Sequence, residues 1–222
     1  MRIAGIIAIV AVLIIIALTS YFIFFTDLTT GKRYYKYLYY DGAIEKFQSV
    51  LKSNPDNAEA HLYLGLSYGK KRNYRLAMQE FKWLTDKGVE LKMSAQTHNE
   101  IGMIYYLSEA YLESIAEFIK ATKVSSNYAE AYFNLGSAYS ANSQNKEAIA
   151  AYRRVIEIEP RNVYAHWNIA ITLEKENELE EAIKHWKKYI ELVPGVFRNP
   201  EVERHLHDLR EKLKAQKEGA VK

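Results

Sequence analysis

Residues 136–160 read GSAYSANSQNKEAIAAYRRVIEIEP, and five positions in this stretch decide how the chain folds. They are Gly136 with Tyr139, then Ala148, Tyr152 and Pro160. The same spacing recurs along the chain. Gly-x-x-Tyr occurs at Gly31/Tyr34, Gly65/Tyr68, Gly102/Tyr105 and Gly136/Tyr139, with steps of 34, 37 and 34 residues between glycines. A further step of 34 reaches Ala170 and Leu173, a softened fifth copy. A small residue follows each landmark by twelve positions (Ala43, Ala77, Ser114, Ala148, Ala182), and an aromatic by sixteen (Phe47, Phe81, Phe118, Tyr152, Trp186). Three copies then place a proline: Pro55, Pro160 and Pro194. A fixed period in this range marks a stacked array of helical hairpins.

The residue types carry the physics. Gly or Ala on the first helix of a hairpin lets the second helix approach closely, and the aromatic on the second helix fills the space between them. Proline cannot continue a helix, so it sets the turn into the next unit. A single hairpin cannot bury its apolar faces; stacked neighbours do so in a continuous core.

On these residues the chain resembles the tetratricopeptide repeat family, whose unit is a 34-residue helix-turn-helix. The resemblance covers residues 24–196. It implies an all-α fold, a right-handed superhelix of about five hairpins, with repeats at about 24–57, 58–94, 95–128, 129–162 and 163–196 and the array as a whole over 26–196. A capping helix over 197–215 and a polar tail over 216–222 follow. Asn199 suits an N-cap and Pro200 a first helical turn. Val202, Leu206, Leu209 and Leu213 form one apolar stripe, the pattern a terminal helix needs to seal the last repeat. Asp86-Lys87-Gly88 is expected to turn the chain after the second repeat, which is three residues long at its end.

Residues 3–25 contain no charge. As a helix they span about 35 Å at ~1.5 Å per residue, against a bilayer core of about 30 Å. The segment reads as one transmembrane helix rather than a cleaved signal peptide, because the apolar run is long and Ala17-Leu18-Thr19-Ser20 is a poor cleavage site. Lys32, Arg33 and Lys36 just after the span would by count retain the repeats in the cytoplasm. A short basic start before a long apolar run reads instead as an uncleaved signal anchor, which gives an extracytoplasmic (periplasmic) repeat domain.

The 222-residue chain carries a formal charge of +3, too balanced for nucleic-acid binding by bulk charge. It has no Cys, which excludes disulfides and thiolate metal sites. No phosphate loop, dinucleotide fingerprint, zinc-protease motif or Cys nucleophile is present, so neither enzyme activity nor a cofactor nor a metal site is expected. His61, His98 and His166 share one register and read as packing residues. His205 and His207 lie two apart on a helix and face different ways. Glu180 and Glu181 read as a solvated pair.

In the family, the first helix of each repeat lines a concave groove. That register points here to Leu62, Leu66, Asn99, Met103, Tyr106, Phe133, Ser137, Tyr164, Trp167 and Ile171. Such a surface suits an extended or helical peptide held by aromatic anchors. The resulting expectation is a membrane-anchored protein–protein interaction scaffold that binds a protein or peptide in the groove. The alternative is a structural subunit of a large cell-envelope assembly (secretion, pilus or motility), either as a homo- or a hetero-oligomer.

Overall fold

The computed structural model describes residues 12–14, 26–89, 91–195 and 199–219. All the regular structure described is helical. The expected membrane span, 3–25, lies outside the described residues except for 12–14, and the tail beyond 219 lies outside them too. Among the described residues no helix is long and apolar enough to cross a membrane.

The helices are α1 (residues 26–36), α2 (Tyr40–Ser53), α3 (Ala58–Lys70), α4 (Tyr74–Lys87), α5 (Leu91–Leu107), α6 (Tyr111–Val124), α7 (Ala129–Ala141), α8 (Asn145–Ile158), α9 (Val163–Lys175), α10 (Leu179–Leu192) and α11 (Pro200–Gly219). They group into two compact units, 1–100 and 101–222. α4 ends on Gly88 in the left-handed conformation, φ 63° and ψ 52°, which turns the chain. The longer 37-residue step is taken up mainly by α5, which gains a turn at its N-terminal end relative to α3, α7 and α9.

Each landmark glycine packs against the aromatic sixteen residues on. In the first unit a Cβ built on Gly31 would lie 2.7 Å from Phe47 Cε1, and one on Gly65 2.6 Å from Phe81 Cε1. In the second unit the distances are 2.7 Å from Gly102 to Phe118 and 2.6 Å from Gly136 to Tyr152. No side chain fits there without moving the ring. Phe47, Phe81, Phe118 and Tyr152 are accordingly buried to within 2%. At the fifth copy Ala170 shares a buried cluster with Trp186. Ser114, which stands where the other copies have Ala, satisfies its buried hydroxyl by donating to Gly102 O at 2.9 Å.

The tyrosine of the pair has a second use. At the end of each first helix, the carbonyl three residues past the landmark accepts from an amide five residues later: Tyr39 to Tyr34, Asn73 to Tyr68, Ala110 to Tyr105, Gln144 to Tyr139 and Glu178 to Leu173. This is the long-range bond of a Schellman cap, and it needs a left-handed residue just before the donor. Those residues are Leu38, Arg72, Glu109, Ser143 and Asn177, with φ between 58° and 63°, and none is glycine. An L-residue in this conformation costs roughly 1 kcal/mol, so packing and the cap bond hold all five turns against local preference.

In the first unit Ala43, Phe47, Val50, Ala60 and Leu64 form the core, with Tyr34, Tyr35 and Tyr63 against it. The tyrosines of residues 34–40 thus divide: Tyr34 and Tyr35 pack, while Tyr37 and Tyr39 are exposed. In the second unit Asn199 caps α11, its Oδ1 accepting from Glu201 N at 2.9 Å. Val202, Leu206 and Leu209 are buried against Leu179, Ile183 and Trp186 of α10. α11 runs to Gly219, a turn past the expected end. Gln216 and Lys217 bond to Asn177 and Glu180, so Glu180 is paired although exposed.

Two histidines of the shared register hold inter-hairpin turns. His61 Nε2 donates to Pro55 O at 2.9 Å, and His166 Nε2 to Pro160 O at 3.3 Å. Beside each turn an asparagine, Asn57 or Asn162, caps the next helix by accepting from the amide of Ala60 or Ala165.

Candidate functional site

The register of first-helix residues divides by burial. In the first unit Leu62, Leu66 and Asn99 are 5%, 4% and 0% exposed. They lie in the core, and a side chain this buried offers little surface to a partner.

In the second unit the same register is more open. Met103 and Tyr106 are half-buried and pack on the Ile115–Phe118–Leu135 cluster. Phe133 is half-buried against the clusters around Tyr152 and Val155. Ser137 donates to Phe133 O and accepts from Tyr152 Oη, both at 3.1 Å. Burial pushes the Tyr152 phenol up to about 12, so it stays a neutral donor. Tyr164 stands 73% exposed, a large apolar ring held in water. Trp167 and Ile171 are half-buried, leaning on the Ala170–Trp186 cluster.

Two hollows lie among these residues. One, of about 210 Å³, is lined by Ala129, Glu130, Phe133, Glu159, Asn162 and Tyr164. The other, of about 340 Å³, is lined by Trp167, Ile171, Glu174, Trp186, Asn199, Glu201, Val202 and His205. Aromatic and aliphatic walls with a few polar groups are the usual make-up of a binding hollow.

Glu174, Trp186 and His205 were absent from the register prediction. Glu174 holds the place in its repeat that Tyr106 holds in the third, so the period already contained it. The spacing marks Trp186 as a packing aromatic and gives no sign of its second role. His205 comes from α11, which lies outside the period, and nothing in the spacing points to it.

Titratable groups outside the hollows serve the fold. Burial works against the Asp27 carboxylate, but hydrogen bonds from Ser49 and Lys46 outweigh it and hold its pKa down. Glu59 bonds Lys32 at 2.6 Å and raises its pKa. Glu181 is bonded by Arg153 at 2.6 Å, so the Glu180/Glu181 pair is engaged on both members. Among the described residues no group of three His, Cys, Asp or Glu could hold a metal ion.

A family model described as "Tetratricopeptide repeat" matches residues 129–162, and one described as "TPR repeat" matches 31–71 and 102–143. Among solved structures the chain is similar to MamA, with 28% identity, TM-score 0.65, and coverage of 73% of this chain and 93% of that one. It is also similar to YrrB, described as a TPR protein with an unusual peptide-binding site, at 20% identity, TM-score 0.63 and coverage of 76% and 86%. A third is PilF of Pseudomonas aeruginosa, at 16% identity and TM-score 0.73, covering 88% of each chain. The last two likenesses concern the fold alone. No curated protein matches the chain significantly.

Proposed function

We propose that this chain, which carries tetratricopeptide repeats and has the fold of a protein–protein interaction scaffold, is anchored in a membrane by its N-terminal segment. There it holds a protein or peptide partner along α7 and α9. The observation that carries the partner site is the pair of hollows around Phe133, Tyr164 and Trp167. A ring as exposed as that of Tyr164 gains by being covered, at roughly 25 cal/mol per Å² of apolar area removed from water. Ser137 is already satisfied within the fold. Asn162 is likewise taken up by Ala165 N and Glu159. The aromatic anchors therefore supply affinity, and the carboxylate of Glu130 at the rim supplies orientation.

The anchor rests on the uncharged run 3–25, which ends where the described helical array begins at residue 26. Tethering confines the search for a partner to the membrane surface and raises effective concentration. The repeats stand on the extracytoplasmic side in this reading.

Partner capture from solubilised membranes tests the groove. Tyr164→Ala removes a ring that is exposed in the free chain, so it should sharply weaken capture while helical content and unfolding midpoint are retained; undiminished capture by that folded variant refutes it. Release of the protein by alkaline carbonate would refute the anchor, and cytoplasmic activity of a reporter fused after Lys222 would refute the proposed side. Crosslinking of the solubilised chain into a defined multimer with no peptide ligand would favour the structural-subunit alternative.

A further inference from the structure

The hollow where α9, α10 and α11 meet is acidic as well as aromatic. The Trp167 and Trp186 rings meet edge to face, 4.7 Å between centroids and 82° between planes. Glu174 stands beside them with its side chain one-fifth exposed. Its Oε1 accepts from Trp186 Nε1 at 2.5 Å, and both its oxygens lie 3.0 Å from His205 Nε2. A carboxylate offers about four acceptor positions, and these two donors take up part of that capacity. Glu201, one turn before His205 on α11, adds a second carboxylate at the rim, held only at 3.7 Å by Arg204. No Lys or Arg is among the described residues that line the hollow.

We infer that this hollow takes the cationic side chain, arginine or lysine, of the segment bound along α7 and α9. The inference rests on the partner reading above and adds the chemistry of one anchor position. About 340 Å³ accommodates one long side chain and little else. Its methylenes would lie along Ile171 and the indole of Trp167, and its charged head would reach Glu174. Three effects favour a cation there over a neutral group of the same shape. The indoles offer π surface to a positive charge. A guanidinium or ammonium makes charge-assisted hydrogen bonds to a carboxylate. The indole donor already holds Glu174 in place, so little rotamer freedom is lost on binding. An acidic side chain would meet both Glu174 and Glu201.

The test uses the full chain in detergent micelles and four capped pentapeptides of sequence Leu-Ala-Z-Ala-Leu, where Z is arginine, lysine, citrulline or glutamate. Binding is followed by tryptophan fluorescence and calorimetry. The arginine and lysine peptides should bind about tenfold tighter than the citrulline peptide, the gain of roughly one charge-assisted hydrogen bond, and the glutamate peptide weakest. Glu174→Gln keeps an acceptor for Trp186 and removes the charge, so it should erase the preference for arginine over citrulline without lowering the unfolding midpoint. Equal binding of arginine and citrulline peptides by the native chain, or a preference that survives in Glu174→Gln, overturns the inference. If binding is indifferent to charge but is lost in Tyr164→Ala, the partner site stands and the cation pocket falls. If none of the four peptides binds at millimolar concentration, both fall.

Discussion

His61 and His166 occupy the same place in two repeats 105 residues apart, and they treat a proton in opposite ways. Each donates from Nε2 to the carbonyl of a proline six residues before it. The difference lies on the following helix. Across from His61 stand Glu80, whose Oε2 is 2.6 Å from Nδ1, and Trp83, stacked on the imidazole at 3.8 Å. At the same two places across from His166 stand His185, at 3.0 Å, and Lys188. A carboxylate and a proline carbonyl both only accept, so His61 needs a proton on each nitrogen to satisfy both. Burial opposes that charge, but Glu80, the Pro55 carbonyl and Asp56 outweigh it and raise the pKa above 6.5. Burial lowers the pKa of His166, and Lys188 adds to it while the Pro160 carbonyl and Glu191 oppose. His185 is driven down to about 4 by burial, by His166 and by Arg153, against Glu181. His185 then donates from Nδ1 to an unprotonated His166 Nδ1, and the joint is neutral. Two residues on the facing helix thus decide whether one turn is held by an ion or by a dipole.

The signs follow from linkage. His61 has a raised folded pKa, so its contribution is complete below about 6.5 and is lost as pH rises through the folded value. His166 and His185 have lowered folded values, so their contribution is complete above about 6.5 and is lost as pH falls toward 4. Acid should therefore tighten one joint and loosen the other.

The largest effect is expected where the two regions are alike. Gly65→Leu and Gly136→Leu drive a side chain into Phe81 and Tyr152, and each should lose about 3 kcal/mol at any pH. Urea unfolding at pH 5 and pH 8 checks both the size and the indifference to pH. Next comes acid. A shift from 6.5 to about 4 at His185 is worth about 3 kcal/mol at full effect. The protection factors of α9 and α10 amides against hydrogen exchange should fall between pH 6.5 and 4, and His185→Glu should reverse that trend by giving His166 a carboxylate. Unchanged protection across this range would contradict the neutral pair. Glu80→Gln should then remove about 1.5 kcal/mol near pH 6, the worth of a hydrogen bond between charged groups, and less at pH 9, with His61 titrating lower by NMR. The smallest effect concerns the turns. Leu38→Gly should raise the unfolding free energy by about 0.5 kcal/mol by relieving its positive φ. Asn177→Gly should change it by less than that, since asparagine tolerates the left-handed region; thermal unfolding of the pair compares them.

The hairpin packing was legible because glycine and the aromatic sixteen residues on are complementary in size, and the structure brings each such pair into contact. The left-handed turns were not legible. Sequence reading looks for glycine there, whereas Leu38, Arg72, Glu109, Ser143 and Asn177 are held by a backbone bond that no side chain announces. In the candidate site the period located first-helix positions but not their exposure. Leu62 and Trp167 share a register, yet the first is buried and the second is half-open. Exposure depends on what the next helix supplies, and at the end of the array that helix is α11, which follows no repeat.

Among the described residues, close helix pairs join elements that are successive in the chain: α2 with α3, α3 with α4, and each neighbour from α6 with α7 to α10 with α11. Contacts of this kind close short loops, and proteins made of them fold quickly and through local steps. They also make the hairpin a unit of descent. A duplicated or deleted hairpin that keeps its glycine, its aromatic and its turn leaves the remaining joints intact, so an array like this can change length without redesign of its core.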